Sequence, residues 1–109
     1  MSDLVLLRLA ATIKARRGED AGKSYTKELL DGGTERCARK LGEEAIETLI
    51  AALGPDARAL TREAADLLYH LLVLLEARQI PLSNVMAELE SRMGTSGLTE
   101  KAARETKPQ

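Results

Sequence analysis

The chain has 109 residues, a net charge of −1, and 44% hydrophobic against 30% charged residues. These values fit one globular domain and exclude a disordered chain, and basic residues scattered among acids exclude the broad positive field of a nucleic-acid or anionic-membrane binder. With two Tyr and no Trp or Phe, the core is expected to be aliphatic, and the abundance of Ala, Leu, Glu, Lys and Arg favours helices.

In chain order, residues 3–16 form the first expected helix. Leu4, Leu7 and Ala11 lie on one stripe, with Leu6, Leu9 and Ile13 beside it. Asp3 precedes the short apolar run and Arg8 interrupts it, so no signal-peptide pattern is expected. Residues 18–23 are polar and glycine-containing and read as a loop. Ser24-Tyr25-Thr26 opens a short helix to Leu30, ended by Asp31-Gly32-Gly33.

A long helix is expected from Thr34, as N-cap, to Leu53, with Cys37, Leu41, Ile46, Leu49 and Leu53 supplying its apolar faces. Gly54-Pro55 punctuates it, since Gly suits the end of one helix and Pro the start of the next. The next helix spans 56–78. Its stretch Leu67–Leu75 is apolar nearly all round, more than a chain of this size covers alone, and points to a homodimer with this helix central. Pro81 introduces a last helix with Val85, Met86, Leu89 and Met93 as its inward stripe. Residues 1–93 thus form an all-α bundle of about four to five helices, completed by homodimerisation. Residues 94–109 read as a polar, partly ordered tail. The lone Cys37 reads as a packing residue and fits a reducing cytosol, and no apolar run is long enough to span a bilayer.

Two acidic pairs carry the chemistry. Glu44 and Glu47 lie on one long helix, Glu63 and Asp66 on the other, each pair spaced i,i+3 and so on one helix face. If the two helices pack antiparallel, the four carboxylates converge. Such hard oxygen ligands suit Mg²⁺, with Mn²⁺ as a substitute, and not Zn²⁺. The bland alternative is a solvated acidic face. Against it, neither Glu47 nor Glu63 has a base three or four residues away, and Asp66 sits between Ala64-Ala65 and Leu67-Leu68. Arg36 and Lys40 lead into Glu44 and are candidate phosphate donors, although a Lys40–Glu44 ion pair explains them equally. His70, four residues beyond Asp66, could support the metal ligands or carry a proton, but reads first as a satisfied, half-buried histidine, and Tyr69 as a core or interface residue with its hydroxyl tied.

The segments Ser24-Tyr25-Thr26-x-x-Leu29-Leu30, Lys40-Leu41-Gly42-Glu43-Glu44-Ala45-x-Glu47 and Glu63-x-x-Asp66-Leu67-Leu68-Tyr69-His70 resemble the phosphoribosyl-ATP pyrophosphohydrolase family. That family lies among the MazG-like all-α nucleotide pyrophosphohydrolases, which share E-x-x-E followed after a gap by E-x-x-D. Fifteen residues separate Glu47 from Glu63, and the resemblance covers about residues 4–92. It implies a cytoplasmic homodimer that hydrolyses phosphoribosyl-ATP to phosphoribosyl-AMP and pyrophosphate, the second step of histidine biosynthesis. It further implies Glu44, Glu47, Glu63 and Asp66 as metal ligands, Glu44 or Glu47 as the base, and Ser24, Tyr25, Arg36 and Lys40 around the nucleotide. A housekeeping nucleoside triphosphate pyrophosphohydrolase, with the same acids but no need for Ser24-Tyr25-Thr26, is the alternative. A non-catalytic helical dimerisation module is a second one.

Overall fold

The computed structural model describes residues 4–93, so the 94–109 tail lies outside the described residues. Five helices follow one another: α1 (Val5–Arg16), α2 (Tyr25–Asp31), α3 (Gly33–Leu53), α4 (Ala57–Ala77) and α5 (Leu82–Arg92), with one 3₁₀ turn at Ala21–Lys23. No strand occurs among the described residues. The all-α expectation holds. Among the described residues, no helix is long and apolar enough to cross a membrane.

The helix starts follow local chemistry. Ser24 is extended and its Oγ accepts the Lys27 N–H at 3.1 Å, which caps α2. Asp56 does the same for α4 through the Arg58 N–H at 2.9 Å. The expected Thr34 cap is not used. Gly33 adopts φ +86°, a left-handed conformation open to a residue without Cβ, and α3 begins there, directly after α2.

α4 ends in a motif that sequence reasoning did not foresee. The Ile80 N–H reaches the Leu75 carbonyl and the Gln79 N–H reaches the Glu76 carbonyl, both at 2.9 Å. This pair of bonds is a Schellman stop, which requires a left-handed residue, and Gln79 supplies it at φ +55°. A side chain in that region costs about 1–2 kcal/mol, part of which glycine gives back through its larger unfolded-state freedom. Gln79→Gly should therefore raise stability by up to about 1 kcal/mol, read as a higher urea midpoint at an unchanged slope. An unchanged or lowered midpoint would mean that the glutamine side chain contributes more than its backbone strain costs.

Gly54-Pro55-Asp56 turns the chain back, so α3 and α4 form an antiparallel hairpin and the dominant helix pair of the fold. The hairpin is cross-tied by Thr48, whose Oγ1 lies 2.8 Å from the Glu44 carbonyl and 3.3 Å from the Glu63 carbonyl. The buried core is small and sits at one end: Ile13 of α1, Leu29 and Leu30 of α2, Cys37 at the start of α3, and Leu72 and Val73 towards the end of α4. Cys37 packs as expected and donates its S–H to the Leu29 carbonyl at 3.2 Å. On α1 the Leu6, Leu9, Ile13 stripe faces the core, while Leu4 and Leu7 stay exposed. Arg17 ties the end of α1 to α4 by an ion pair with Glu76 at 2.8 Å.

The rest of the hairpin lies beyond this core, and here the structure corrects the sequence reading. The C-terminal half of α4 is largely covered by its own chain: Leu72 and Val73 are buried and Leu71, Leu74 and Leu75 half-buried, while Leu68 stays exposed. The open apolar surface lies on α3. Ile46, Leu49, Ile50 and Leu53 are 59%, 64%, 65% and 90% exposed. Their i, i+3, i+4, i+7 spacing makes one continuous helical stripe. The stripe expected to face inward on α5 is likewise open: Met86, Leu89 and Met93 are exposed and no α5 residue is buried.

Candidate metal and phosphate site

The face of α3 opposite the open stripe carries Glu44 and Thr48, which fall about half a helical turn away from Ile46, Leu49, Ile50 and Leu53, with Glu47 at the edge between the two faces. It packs against the α4 face bearing Glu63 and Asp66. Carboxylate oxygens of Glu44, Glu63 and Asp66 all lie within 4.8 Å of one another. Glu47 stands beside this trio, close enough for its charge and hydrogen bonding to act on both Glu44 and Glu63. The structure thus brings the four sequence-predicted acids together, three as a tight group and one at its flank.

The environment is hostile to bare carboxylates. Glu44 is only 9% exposed. Burial pushes its pKa up, and the charge of Glu47 pushes it further. Glu63 is pushed up in the same way, by desolvation first and then by Glu47 and Asp66. Glu63 Oε2 is buried and meets no hydrogen-bond partner among the described residues. Among those residues, none of the four acids pairs with a Lys or Arg. Four converging oxygen donors, two of them with raised pKa values and one with an orphaned buried oxygen, fit a hard divalent cation.

The basic residues are placed differently from expectation. Lys40 pairs with Glu43 at 3.1 Å, not with Glu44. This contact, with the Tyr25 phenol nearby, holds its pKa above the usual lysine value. Lys40 therefore sits as a fixed cation at the edge of the acidic site. Arg36 is exposed, its stem folded against Gly32. It lies two turns before Glu44, about 12 Å along the axis, and is not part of the acidic group.

Ser24 is engaged as the α2 cap. Tyr25, the next residue, is half-exposed and stacks on Tyr69, with ring centroids 6.5 Å apart at 20°. The Tyr69 hydroxyl is tied to Thr26 Oγ1, as a packed tyrosine requires. His70 meets both rings edge-on. These contacts join α2 to α4 and set an exposed aromatic face near Lys40.

A family model described as phosphoribosyl-ATP pyrophosphohydrolase matches residues 6–93. This chain belongs to that family. The phosphoribosyl-ATP pyrophosphatase of Jannaschia sp. (strain CCS1) is 61% identical over 99 residues, spanning 91% of this chain and 97% of that one. Those of Dinoroseobacter shibae (57% over 100 residues; 92% and 98%) and Parvibaculum lavamentivorans (58% over 97 residues; 89% of each) are similarly close.

Within this phosphoribosyl-ATP pyrophosphohydrolase fold, sequence reasoning missed Thr48 as the tie between the two acid-bearing backbones. Its signal was present, since Thr48 follows Glu47 and shares the inward face. Sequence reasoning singled out His70 but expected a satisfied ring, whereas Nε2 is buried with no hydrogen-bond partner among the described residues. A separate cleft between α1, the end of α4 and the start of α5, lined by Leu7, Ala11, Leu72, Leu75 and Leu82, lies about two to three turns along α4 from the acids. Its one carboxylate, Glu76, is held by Arg17.

Proposed function

We infer that this chain hydrolyses phosphoribosyl-ATP to phosphoribosyl-AMP and pyrophosphate in histidine biosynthesis, and that it does so in the cytoplasm. The observation that carries the chemistry is the convergence of Glu44, Glu63 and Asp66 with Glu47 at their flank. The family match and relatives sharing more than half of their residues support the substrate.

Glu44, Glu47, Glu63 and Asp66 would hold Mg²⁺, with Mn²⁺ a fitting substitute. The bound cation would offset the charge of the polyphosphate and polarise its oxygens. The remaining work falls to the chain itself. Water attacks phosphorus, its proton leaves to a carboxylate, and the anhydride P–O bond breaks to release pyrophosphate. Glu44 is buried within the trio, whereas Glu47 is exposed at its edge. This contrast favours Glu47 over Glu44 as the group that holds and deprotonates the water. Lys40, held in place by Glu43, stands where a phosphate approaches the acids, and Arg36 offers a second charge further along α3. The exposed Tyr25 ring, backed by Tyr69, offers a flat face to the nucleotide base, and Ser24 fixes the start of the helix that carries it.

The open stripe on α3 supports a homodimer. A continuous apolar helical stripe facing water marks an interaction surface, and a second copy of the same stripe would be a self-complementary cover.

Turnover of phosphoribosyl-ATP, ATP and dATP with and without Mg²⁺ tests the functional reading. Phosphoribosyl-ATP should be cleaved far faster than the free triphosphates, only with the metal, and pyrophosphate should be released in place of two orthophosphates. Equal turnover of ATP and dATP would replace this reading with a housekeeping triphosphate hydrolase. No turnover of any of them would leave a non-catalytic dimer.

A further inference from the structure

One buried atom beside the acids has no task in the scheme above. His70 is the chain's single histidine and is 7% exposed. Its Nδ1 lies 2.9 Å from the Asp66 carbonyl oxygen, one turn back on α4. A carbonyl accepts and does not donate, so Nδ1 carries the proton of this bond. In the neutral ring, Nε2 is then a bare lone pair. Nε2 is buried and meets no hydrogen-bond donor among the described residues. Tyr69 and Tyr25 wall the ring at centroid distances of 5.0 and 6.2 Å, both edge-on. Glu44, whose carboxylate lies within 4.8 Å of that of Asp66, faces the same stretch of α4 from across the hairpin. A buried acceptor left unpaired costs about 1–3 kcal/mol. A histidine serving only as packing has both nitrogens satisfied, or is replaced by an apolar residue at no loss.

We propose that His70 is a positioning residue of the acidic site: with Nδ1–H held by the Asp66 carbonyl, its Nε2 lone pair accepts a hydrogen bond from a water that Glu44 also holds, and so fixes the orientation of that water and of the Glu44 carboxylate. The ring is well placed for this, because its other nitrogen is anchored to the backbone of a second acid of the site. One imidazole thereby couples the α4 segment carrying Asp66 to the α3 carboxylate facing it. The inference rests on the reading of the acids as a Mg²⁺ site, and the test separates the two.

The experiment uses the full-length ¹⁵N-labelled protein, in which a single histidine removes any ambiguity of assignment. At mildly alkaline pH, long-range ¹H–¹⁵N spectra should show the proton on Nδ1 and none on Nε2. Adding Mg²⁺ alone should move the Nε2 resonance towards that of a hydrogen-bonded acceptor and leave Nδ1 in place. His70→Asn keeps a donor near the Asp66 carbonyl and removes the acceptor. Its Mg²⁺ affinity by calorimetry should fall by about tenfold or more, the usual consequence of losing a group that orients a ligand. His70→Gln, which returns an amide oxygen to the Nε2 position, should recover part of that loss, which a purely packing role would not produce. A proton on Nε2, an Nε2 resonance unmoved while Mg²⁺ binds, or wild-type Mg²⁺ affinity in His70→Asn each overturns the proposal. Absence of Mg²⁺ binding to the wild-type protein overturns the metal reading itself, and this inference with it. Should a variant fail to fold, the wild-type spectra decide alone.

Discussion

Replacing Glu63 by Gln should cut pyrophosphate release by at least about a hundredfold and should also make the metal-free protein more stable. The two effects have one cause. Glu63 presents a buried, unpartnered Oε2 to a site already crowded by Glu44, Glu47 and Asp66. Glutamine keeps the shape, removes one charge, and offers an N–H₂ donor to the neighbouring carboxylates. The repulsion falls, and with it the means of holding a cation and orienting water. Near-normal turnover and Mg²⁺ dependence in Glu63→Gln would mean that the acids are a solvated face. A variant that is both inactive and less stable would show that Glu63 has a structural partner that the charge argument overlooks.

The same crowding sets a pH dependence. Glu44 and Glu63 both have folded-state pKa values raised above 4.5, through burial first and like charge second. The folded chain therefore holds protons that the unfolded chain has released, and stability falls as pH rises. Their contribution is fully present below the ordinary glutamate value and is lost as pH climbs through the raised folded values. Thermal melts in a chelator should follow this trend on the acid side of neutrality, and Glu63→Gln should flatten it. Saturating Mg²⁺ should oppose it, because metal binds the deprotonated site and only the folded state assembles that site.

The acidic site was legible in sequence because the α3–α4 turn is short. With Gly54-Pro55-Asp56 as the pivot, residues equally distant from the turn meet, so Glu44 comes opposite Asp66 and Glu47 opposite Glu63. Two i,i+3 pairs on either side of such a turn leave little freedom. The partner of Lys40 was not legible. Glu43 and Glu44 are both within reach at i+3 and i+4, and a side-chain rotamer decides between them. The Tyr25–Tyr69 stack joins residues 44 positions apart, and no local pattern announces it. Gly33 and Gln79 adopt left-handed conformations, yet their sequence context distinguishes neither from an ordinary turn residue. Nor did composition show which long helix is left uncovered. Both α3 and α4 are rich in aliphatic residues, and only the packing of α1 and α2 at one end shows that α4 is the better covered of the two within the chain.

Self-association is therefore best tested on the exposed stripe of α3. Leu71 and Leu74 are half-buried within their own chain, so a charge at either would destabilise the monomer whether or not a dimer exists. Leu49 is 64% exposed and faces away from α4 and the acids. In an isolated chain, Leu49→Asp places a carboxylate in water at little cost. In a two-fold dimer joined through the α3 stripe, it buries an unpaired charge in each copy. At about 2 kcal/mol or more per copy, the dissociation constant should rise about a thousandfold or more. Sedimentation at micromolar concentration should then give a dimer for the wild type and a monomer for Leu49→Asp. The far-ultraviolet circular dichroism should stay helical, and the melting temperature should lose its dependence on protein concentration. A monomeric wild type, or a Leu49→Asp variant that still dimerises with unchanged affinity, would assign the stripe on Ile46, Leu49, Ile50 and Leu53 to something other than a second copy of this chain.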